Sequence, residues 1–362
     1  MGFNFNSIWL TVLLLSITVV IHEFGHFISA RAFGVTVYEF SVGFGPLIGK
    51  FTRKGVQYSL RWILFGGFCK IAGMDMALEG ETKDPETNPE HLFFNLGLWK
   101  KIIILAAGSV LNLFAALIII FFTFIVIGLP TGIESINIDK FAPKSPALEA
   151  GLQRGDKLVS INNQKIENTS DVSKSVQQSQ GRPLEVTISR NGELIVKEIT
   201  PYYNQESKSY MIGVVMGIVP KFETASWSKA FKMTMEFPGN TIKMLVLIFR
   251  GKLKGGLVGP VGMVDMIDQT MSLPFKFFLF NLLFFAGSIG ISLFLFNMLP
   301  IPLPILDGGW IVILILERIF RREFSAEQKA AAYTIGLIAL FTATIWIIYG
   351  DMARLLKRLL GG

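Results

Sequence analysis

The pentapeptide His22-Glu23-Phe24-Gly25-His26 lies near the inner end of an apolar run that begins at Ile8. No other feature constrains the chain as strongly. On a helix, residues four apart share a face, so His22 and His26 can hold one metal ion. Glu23, between them, has the place of the general base in metalloproteases that carry this motif. Soluble enzymes keep the motif in water. Here the flanks are Leu13-Leu14-Leu15, Val19-Val20-Ile21 and Phe27-Ile28. A metal between such flanks lies at membrane depth, where an ionisable group signals function by default. A hydrolytic centre at that depth requires a membrane-embedded substrate. The bare motif arises by chance in a few per cent of chains of this length. Two of the chain's three histidines fall in it, which argues against accident.

Composition agrees with a membrane setting. Of 362 residues, 51% are hydrophobic and 17% charged, against about 25% charged in soluble domains. Mean hydropathy is +0.51. These values specify an integral membrane protein with a smaller soluble part. The net charge is +7. The basic residues cluster beside apolar spans, which assigns them to lipid headgroups and not to nucleic acid. A single cysteine, Cys69, excludes an internal disulfide and reads as a small buried hydrophobe. No Lys or Arg precedes Arg31, and no clear small-residue cleavage site follows the first apolar run. That run is therefore expected to be a permanent span and not a removed signal peptide.

Four segments approach the bilayer length of about 20 residues: 7–30, 102–128, 275–299 and 334–350. Between the first two, residues 35–74 are rich in glycine and aromatics and alternate in places, as in Tyr58-Ser59-Leu60-Arg61-Trp62. Two or more membrane-associated strands are expected there. Residues 75–95 are acidic and read as a surface loop. Residues 131–220 form a polar block with short β-like runs and an Asn191-Gly192 turn, hence a soluble domain. Residues 221–262 return to amphipathic helix, with Trp227, Ala230, Phe231 and Met235 at helical spacing, and read as an interfacial linker. The expected division is thus a first core half, 1–130, then the soluble domain, the linker and a second core half, 263–362. The loop 31–101 carries nine basic residues and the loop after the third span adds Arg318, Arg321, Arg322 and Lys329, so both are expected on the cytoplasmic side; Arg354, Lys357 and Arg358 oppose this but are fewer. The soluble domain and both termini then face outward.

Catalysis by zinc takes three protein ligands and one open position. His91 lies in the acidic loop, away from apolar sequence. Asp307 ends the segment Pro300-Ile301-Pro302-Leu303-Pro304-Ile305-Leu306, which follows the third span. Alternating prolines exclude helix there, and irregular backbone at membrane depth belongs in a protein-lined cavity. Local sequence leaves two roles open for Asp307, metal ligand or N-cap of a following helix. Asn112, in the middle of the second span, is open between helix packing and hydrogen bonding at the site.

With these residues in view, the chain resembles the site-2 protease family of intramembrane zinc metalloproteases, in particular the bacterial regulator-of-sigma-E protease branch. The resemblance covers nearly the whole chain. It rests on His22 to Phe27, Gly108-x-x-x-Asn112, Gly259-Pro260-Val261-Gly262 and Leu306-Asp307-Gly308-Gly309. It implies a Zn2+ site of His22, His26 and Asp307, with Glu23 as the catalytic base. It implies a polytopic α-helical membrane protein of about four spans with a membrane-associated β region. It also implies an extracytoplasmic PDZ domain over 131–220, on Ser145-Pro146-Ala147, Ala150-Gly151-Leu152 and Gly155-Asp156-Lys157-Leu158. Gly43-Phe44-Gly45 and Gly66-Gly67-Phe68 look like the family's β region. Gly43, Gly45, Gly66, Gly67, Asn112 and Asn297 are candidates for holding substrate. Two departures stand out. The segment from Asn297 to Asp307 is two residues longer than the family pattern, and Ser109 replaces a proline common in the second span.

The expected activity is hydrolysis of a peptide bond within or near the transmembrane segment of a single-span protein, such as an anti-sigma factor or a remnant signal peptide. The expected location is the bacterial cytoplasmic (inner) membrane, with the active site toward the cytoplasm. The expected partners are such substrates, membrane lipids and peptide C-termini at the PDZ domain. The competing reading is an inactive scaffold that binds C-termini. A transporter with a midplane metal site is a distant third.

Overall fold

A computed structural model describes residues 4–74, 89–252, 257–271 and 273–359. It begins with helix α1 (Phe5–Ala32), strands β1 (Val37–Arg53) and β2 (Val56–Ile71), and helix α2 (Leu98–Val126). A β-rich stretch follows: β3 (Leu129–Phe141), α3 (Pro146–Glu149), β4 (Lys157–Ile161), β5 (Gln164–Lys165), α4 (Thr169–Gln178), β6 (Leu184–Arg190), β7 (Glu193–Ile199), β8 (Tyr202–Asn204), β9 (Ser209–Met211) and β10 (Val214–Glu223). Helices α5 (Trp227–Phe249), α6 (Pro260–Met271), α7 (Phe275–Asn297), α8 (Asp307–Phe320) and α9 (Ala326–Leu359) complete the chain. The chain divides into a largely helical unit, 1–123 with 226–272 and 278–362, and a β-rich unit, 124–225 with 273–277.

In the helical unit, α1, α2, α7 and α9 are long and apolar enough to cross a membrane. They lie on the four expected segments with shifted ends. The second span stops at Val126 because Gly128, with φ near +99°, turns the chain into β3. The fourth is much longer than 334–350, since polar residues before Tyr333 and after Gly350 continue its helix.

Helix α1 is apolar along its length but buries its small and polar residues. Ser7, Thr11, Thr18, His22, Gly25 and His26 form a buried small and polar face, while Trp9, Leu13, Ile17, Phe24 and Ile28 are exposed. Lipid outside and a packed polar face inside explain that distribution. Ser7 and Thr11 hydroxyls donate to the carbonyls of Asn4 and Ser7, so their burial leaves no donor unmatched.

β1 and β2 each bend, and the pairing yields four segments. Residues 39–42 pair antiparallel with 67–70 and, on their other side, in parallel register with 57–60; residues 50–53 pair with 56–59. The order across this small sheet is 67–71, 37–42, 56–61, 47–53. The bends fall at Gly43 and Gly45 on β1 and at Gly66 on β2, all with positive φ. A Cβ at Gly43 would lie 2.8 Å from the Ile63 carbonyl oxygen. Arg61 fastens the first bend, donating to the Gly45 carbonyl at 2.8 Å and to Glu39 at 2.7 Å. Phe44, Leu47, Ile48, Phe51, Trp62, Ile63 and Phe65 are exposed on it, an apolar surface suited to lipid. Ser16 on α1 donates to the Leu64 carbonyl and so ties the sheet to the helix.

Of the acidic loop 75–95, residues 75–88 lie outside the described residues and 89–95 within them. Phe93 is buried in the core with Val37, Ile71 and Leu105, and its N–H donates to the Ala72 carbonyl. The expected linker, 221–262, also divides differently. Its first residues belong to β10, α5 is an amphipathic helix, and α6 is a separate helix begun by Gly259-Pro260-Val261-Gly262. Asp351 of α9, 2% exposed, accepts from the N–H groups of Gly259 and Gly262 at 3.2 and 2.8 Å and from Arg354 at 2.5 Å. A Cβ at Gly262 would lie 2.7 Å from that carboxylate, which accounts for the glycine.

The β-rich unit carries a six-stranded sheet in the order β10-β3-β4-β6-β7, with β5 on β4. Ile136, Ile138, Leu158, Ile161, Val186 and Ile188 from the sheet pack on Leu152, Val172 and Val176. Its limits are wider than 131–220, because β3 and β10 stay paired out to Leu129 and Glu223. Helix α4 starts at a capping box of Asn168 and Asp171.

One buried ion pair braces this unit. The Asp156 side chain is 1% exposed and meets Arg190 through two 2.8 Å bonds; the Gln153 N–H adds a third at 2.7 Å. Burial alone raises the Asp156 pKa, but the bonds from Arg190 and Gln153 outweigh it and hold it below the ordinary carboxylate value. The stabilisation is therefore complete above the unfolded value of about 3.9 and is lost as pH falls through the folded one. Asp156→Asn leaves Arg190 without its anion and should destabilise the unit by about 2–3 kcal/mol at pH 7. Limited proteolysis of the full-length protein should show faster cutting within 124–225 in this variant. The difference from wild type should shrink below pH 4.

Candidate metal centre

His22 and His26 leave α1 on its buried face, and Asp307 is the first residue of α8. The N-cap position is taken by Leu306, so Asp307 is free of a capping role. His22 Nε2 lies 3.1 Å from His26 Nε2 and 3.4 Å from Asp307 Oδ2; His26 Nε2 lies 3.6 Å from Asp307 Oδ1. In a tetrahedral zinc site with bonds of about 2.0–2.1 Å, ligand atoms sit roughly 3.3 Å apart. Three donors of the right chemistry, at those separations and facing one point, fit zinc. Among the described residues they are the one cluster of metal-ligating side chains that converges this way.

The irregular segment before α8 makes this approach possible. It runs from Met298 to Leu306, closed by N–H bonds such as Leu306 to the Leu303 carbonyl at 3.0 Å. It packs directly on the first turn of α8. A Cβ at Gly308 would lie 2.7 Å from the Leu299 oxygen, and one at Gly309 would strike the Leu303 carbonyl. The two glycines after Asp307 thus let the proline-broken backbone close over the helix start.

Helix α2 backs the cluster with one contact to each donor residue. The Ile104 carbonyl meets His26 Nδ1 at 2.8 Å. Ser109 Oγ donates to Asp307 Oδ2 at 2.8 Å. The Asn112 amide lies 3.4 Å from His22 Nδ1. Such outer partners orient ligands and tune their basicity. Close packing of α1 on α2 brings them within reach: a Cβ at Gly25 would lie 2.7 Å from Gly108 Cα.

A cavity of about 250 Å³ opens on the cluster, lined by His22, Glu23, His26, Cys69, Asn297 and Asp307 among others. Glu23 is half-buried, and the backbone of Cys69 hydrogen-bonds its carboxylate. Cys69 lies on the outer segment of the small sheet, beside the centre, where the sequence suggested a buried hydrophobe. Asn297 lines the cavity; Asn112 does not, being 1% exposed behind His22. Gly43, Gly45, Gly66 and Gly67 also lie outside the lining and shape the sheet that carries Cys69. His91 is exposed and bonds the Gly34 carbonyl at 2.7 Å, apart from the donor cluster. Sequence reasoning missed Ile104, which acts through a backbone atom, and recorded Ser109 only as a departure from a pattern.

A model of peptidase family M50 matches residues 10–343. The chain belongs to peptidase family M50. Relatives of this M50 peptidase extend along its whole length. A Campylobacter jejuni protein whose name assigns it as a zinc metalloprotease is 31% identical over 372 residues, covering 98% of this chain and 96% of its own. A Clostridium perfringens protein with the same assignment is 30% identical, covering 94% and 97%. The regulator of sigma-W protease RasP of Bacillus subtilis is 25% identical, covering 97% and 99%. The M50 peptidase is accordingly a zinc metalloprotease, and its four long apolar helices make it a multi-pass membrane protein.

Proposed function

We propose that this enzyme cuts single-span membrane proteins within or near their membrane segment, with His22, His26 and Asp307 holding zinc and Glu23 as the base. The observation that carries the reading is the convergence of the three donors on a face of α1 that is buried among spanning helices, with Glu23 in the same cavity. Zinc held there would supply Lewis-acid activation of water and of the scissile carbonyl. Glu23 is placed to accept a proton from an attacking water and to hand it to the leaving amine. The Cys69 N–H keeps the carboxylate aimed. Asn297, on the cavity wall, is positioned to hydrogen-bond the substrate backbone.

A helical peptide bond is shielded by its own hydrogen bonds, so the substrate must be extended before it is cut. Residues 67–71 form an outer segment of the small sheet, and among the described residues no strand pairs with their outer side. An unwound substrate segment adding there would regain backbone hydrogen bonds next to Glu23. The bends at Gly43, Gly45 and Gly66, with Gly67 paired beside them, serve this role by shaping the edge.

The basic loops favour a cytoplasmic placement of the centre and an extracytoplasmic placement of the β-rich unit in a bacterial inner membrane. We read that unit as PDZ-like, able to bind peptide C-termini or to screen out substrates with bulky outer domains. RasP is named for regulation of a sigma factor, which supports an anti-sigma factor as substrate class beside remnant signal peptides. Leu129 and Glu223 are paired neighbours, so 130–222 can be excised with a short linker. A screening role predicts that the shortened enzyme cleaves untrimmed substrates; a recruiting role predicts that it no longer cleaves trimmed ones.

The test of the main reading is cleavage of a single-span substrate by zinc-loaded enzyme in detergent, with the cut mapped by mass spectrometry. The expected cut lies in or beside the apolar segment. Cuts confined to soluble regions would overturn the reading. No cleavage of several substrates by a zinc-loaded protein would favour the inactive scaffold.

A further inference from the structure

We propose that Asn112 is a positioning residue for the metal: its amide oxygen accepts the Nδ1–H of His22 and so commits Nε2 of that histidine to zinc. The inference rests on the three-ligand reading above. His22 turns Nε2 toward His26 and Asp307, at 3.1 and 3.4 Å. A neutral imidazole that binds metal through Nε2 carries its proton on Nδ1. His22 is 8% exposed, so that N–H needs a protein acceptor.

The Asn112 amide is the group that faces it. In the structure Nδ2 lies 3.4 Å from His22 Nδ1, while Asn112 Oδ1 is buried with no partner among the described residues. That arrangement suits the opposite tautomer, the one that would present Nε2–H to the metal. A half-turn of the amide about its last torsion exchanges two nearly isosteric groups. It gives the histidine proton an acceptor and the oxygen a donor, and it sets the amide N–H groups where the oxygen now lies.

Two further observations agree. His26 is already held in this way, with its Nδ1 at 2.8 Å from the Ile104 carbonyl two turns earlier on the same helix. And water is a poor substitute partner for Oδ1. The cavity of about 30 Å³ that touches Asn112 is lined otherwise by Thr18 and aliphatic or small residues, too few polar groups to hold one well.

The test compares full-length wild type, Asn112→Asp and Asn112→Leu in detergent. Zinc affinity is measured by chelator competition, and site geometry by the visible spectrum of the cobalt-substituted proteins. A carboxylate accepts but cannot donate, so Asn112→Asp should bind zinc within about threefold of wild type, with an unchanged cobalt spectrum. Asn112→Leu should lose about 10–100-fold in affinity, the usual cost of removing such an outer partner. If the amide instead donates to His22, Asn112→Asp sets a carboxylate against a lone pair and becomes the weakest binder, which overturns the proposal. Equal affinity in all three overturns it too. The ranking of Asn112→Asp against wild type decides the matter even where Asn112→Leu fails to fold. A wild type that binds no zinc sinks the three-ligand reading itself, a result separable from the others.

Discussion

Glu23→Gln should leave bound zinc at the wild-type level and lower peptide-bond hydrolysis by about 10²–10⁴-fold, the usual contribution of a positioned base. The two readouts separate because Glu23 lies outside the donor cluster of His22, His26 and Asp307 while sharing its cavity. Gln has the same shape and can still meet the Cys69 backbone, so the site should keep its form. What is lost is a group that accepts a proton. Metal analysis of the purified variant, with cleavage of a single-span substrate, checks both halves. Cleavage by Glu23→Gln at the wild-type rate would remove Glu23 from the mechanism. Loss of zinc in this variant would place the carboxylate among the ligands.

How far the sequence carries can be judged from particular residues. The spans were legible because about 20 apolar residues are a strong one-dimensional signal, and α1, α2, α7 and α9 lie where hydropathy puts them. The spacing of His22 and His26 was legible because helical periodicity turns four residues into one face. Asp307 depended on family resemblance, since its approach to α1 is a tertiary event made by a proline-broken segment closing over Gly308 and Gly309. The four-segment sheet was not legible. Its parallel register between 39–42 and 57–60 comes from glycine bends inside what reads as two strands. Helix α6 was missed because its first turn is stabilised by Asp351, about ninety residues downstream, and not by a local cap. The outer partners of the metal site were hidden for a related reason. Ile104 contributes a carbonyl, which every residue has, and Asn112 takes on a meaning only beside His22.

Gly108→Ala should abolish tight zinc binding, although it adds one methyl group in a helix where alanine is the better former. The new Cβ would lie 2.8 Å from Cδ2 and Cε1 of His26 and closer still to Nε2. Ordinary contact begins near 3.4 Å, so the ring or the helix must move by more than half an ångström. Metal–ligand distances tolerate only about 0.2 Å. Neither side can yield cheaply. His26 is pinned by Ile104, and α1 is pressed on α2 at Gly25, whose own Cβ would strike the Ala107 carbonyl. The loss should exceed the roughly 10–100-fold that follows removal of an outer partner, because here the displaced group is a proposed ligand. Gly287→Ala is the matched control. It too fills a tight helix contact, 2.5 Å from Ile120 Cγ1 and 2.8 Å from its Cδ1, but against a side chain that is not one of the three donors. It should cost about 1–3 kcal/mol of stability from overpacking and leave zinc affinity at the wild-type value. Equal loss of zinc in both variants would mean that general loosening of the bundle, and not the fit of Gly108 against His26, governs the site.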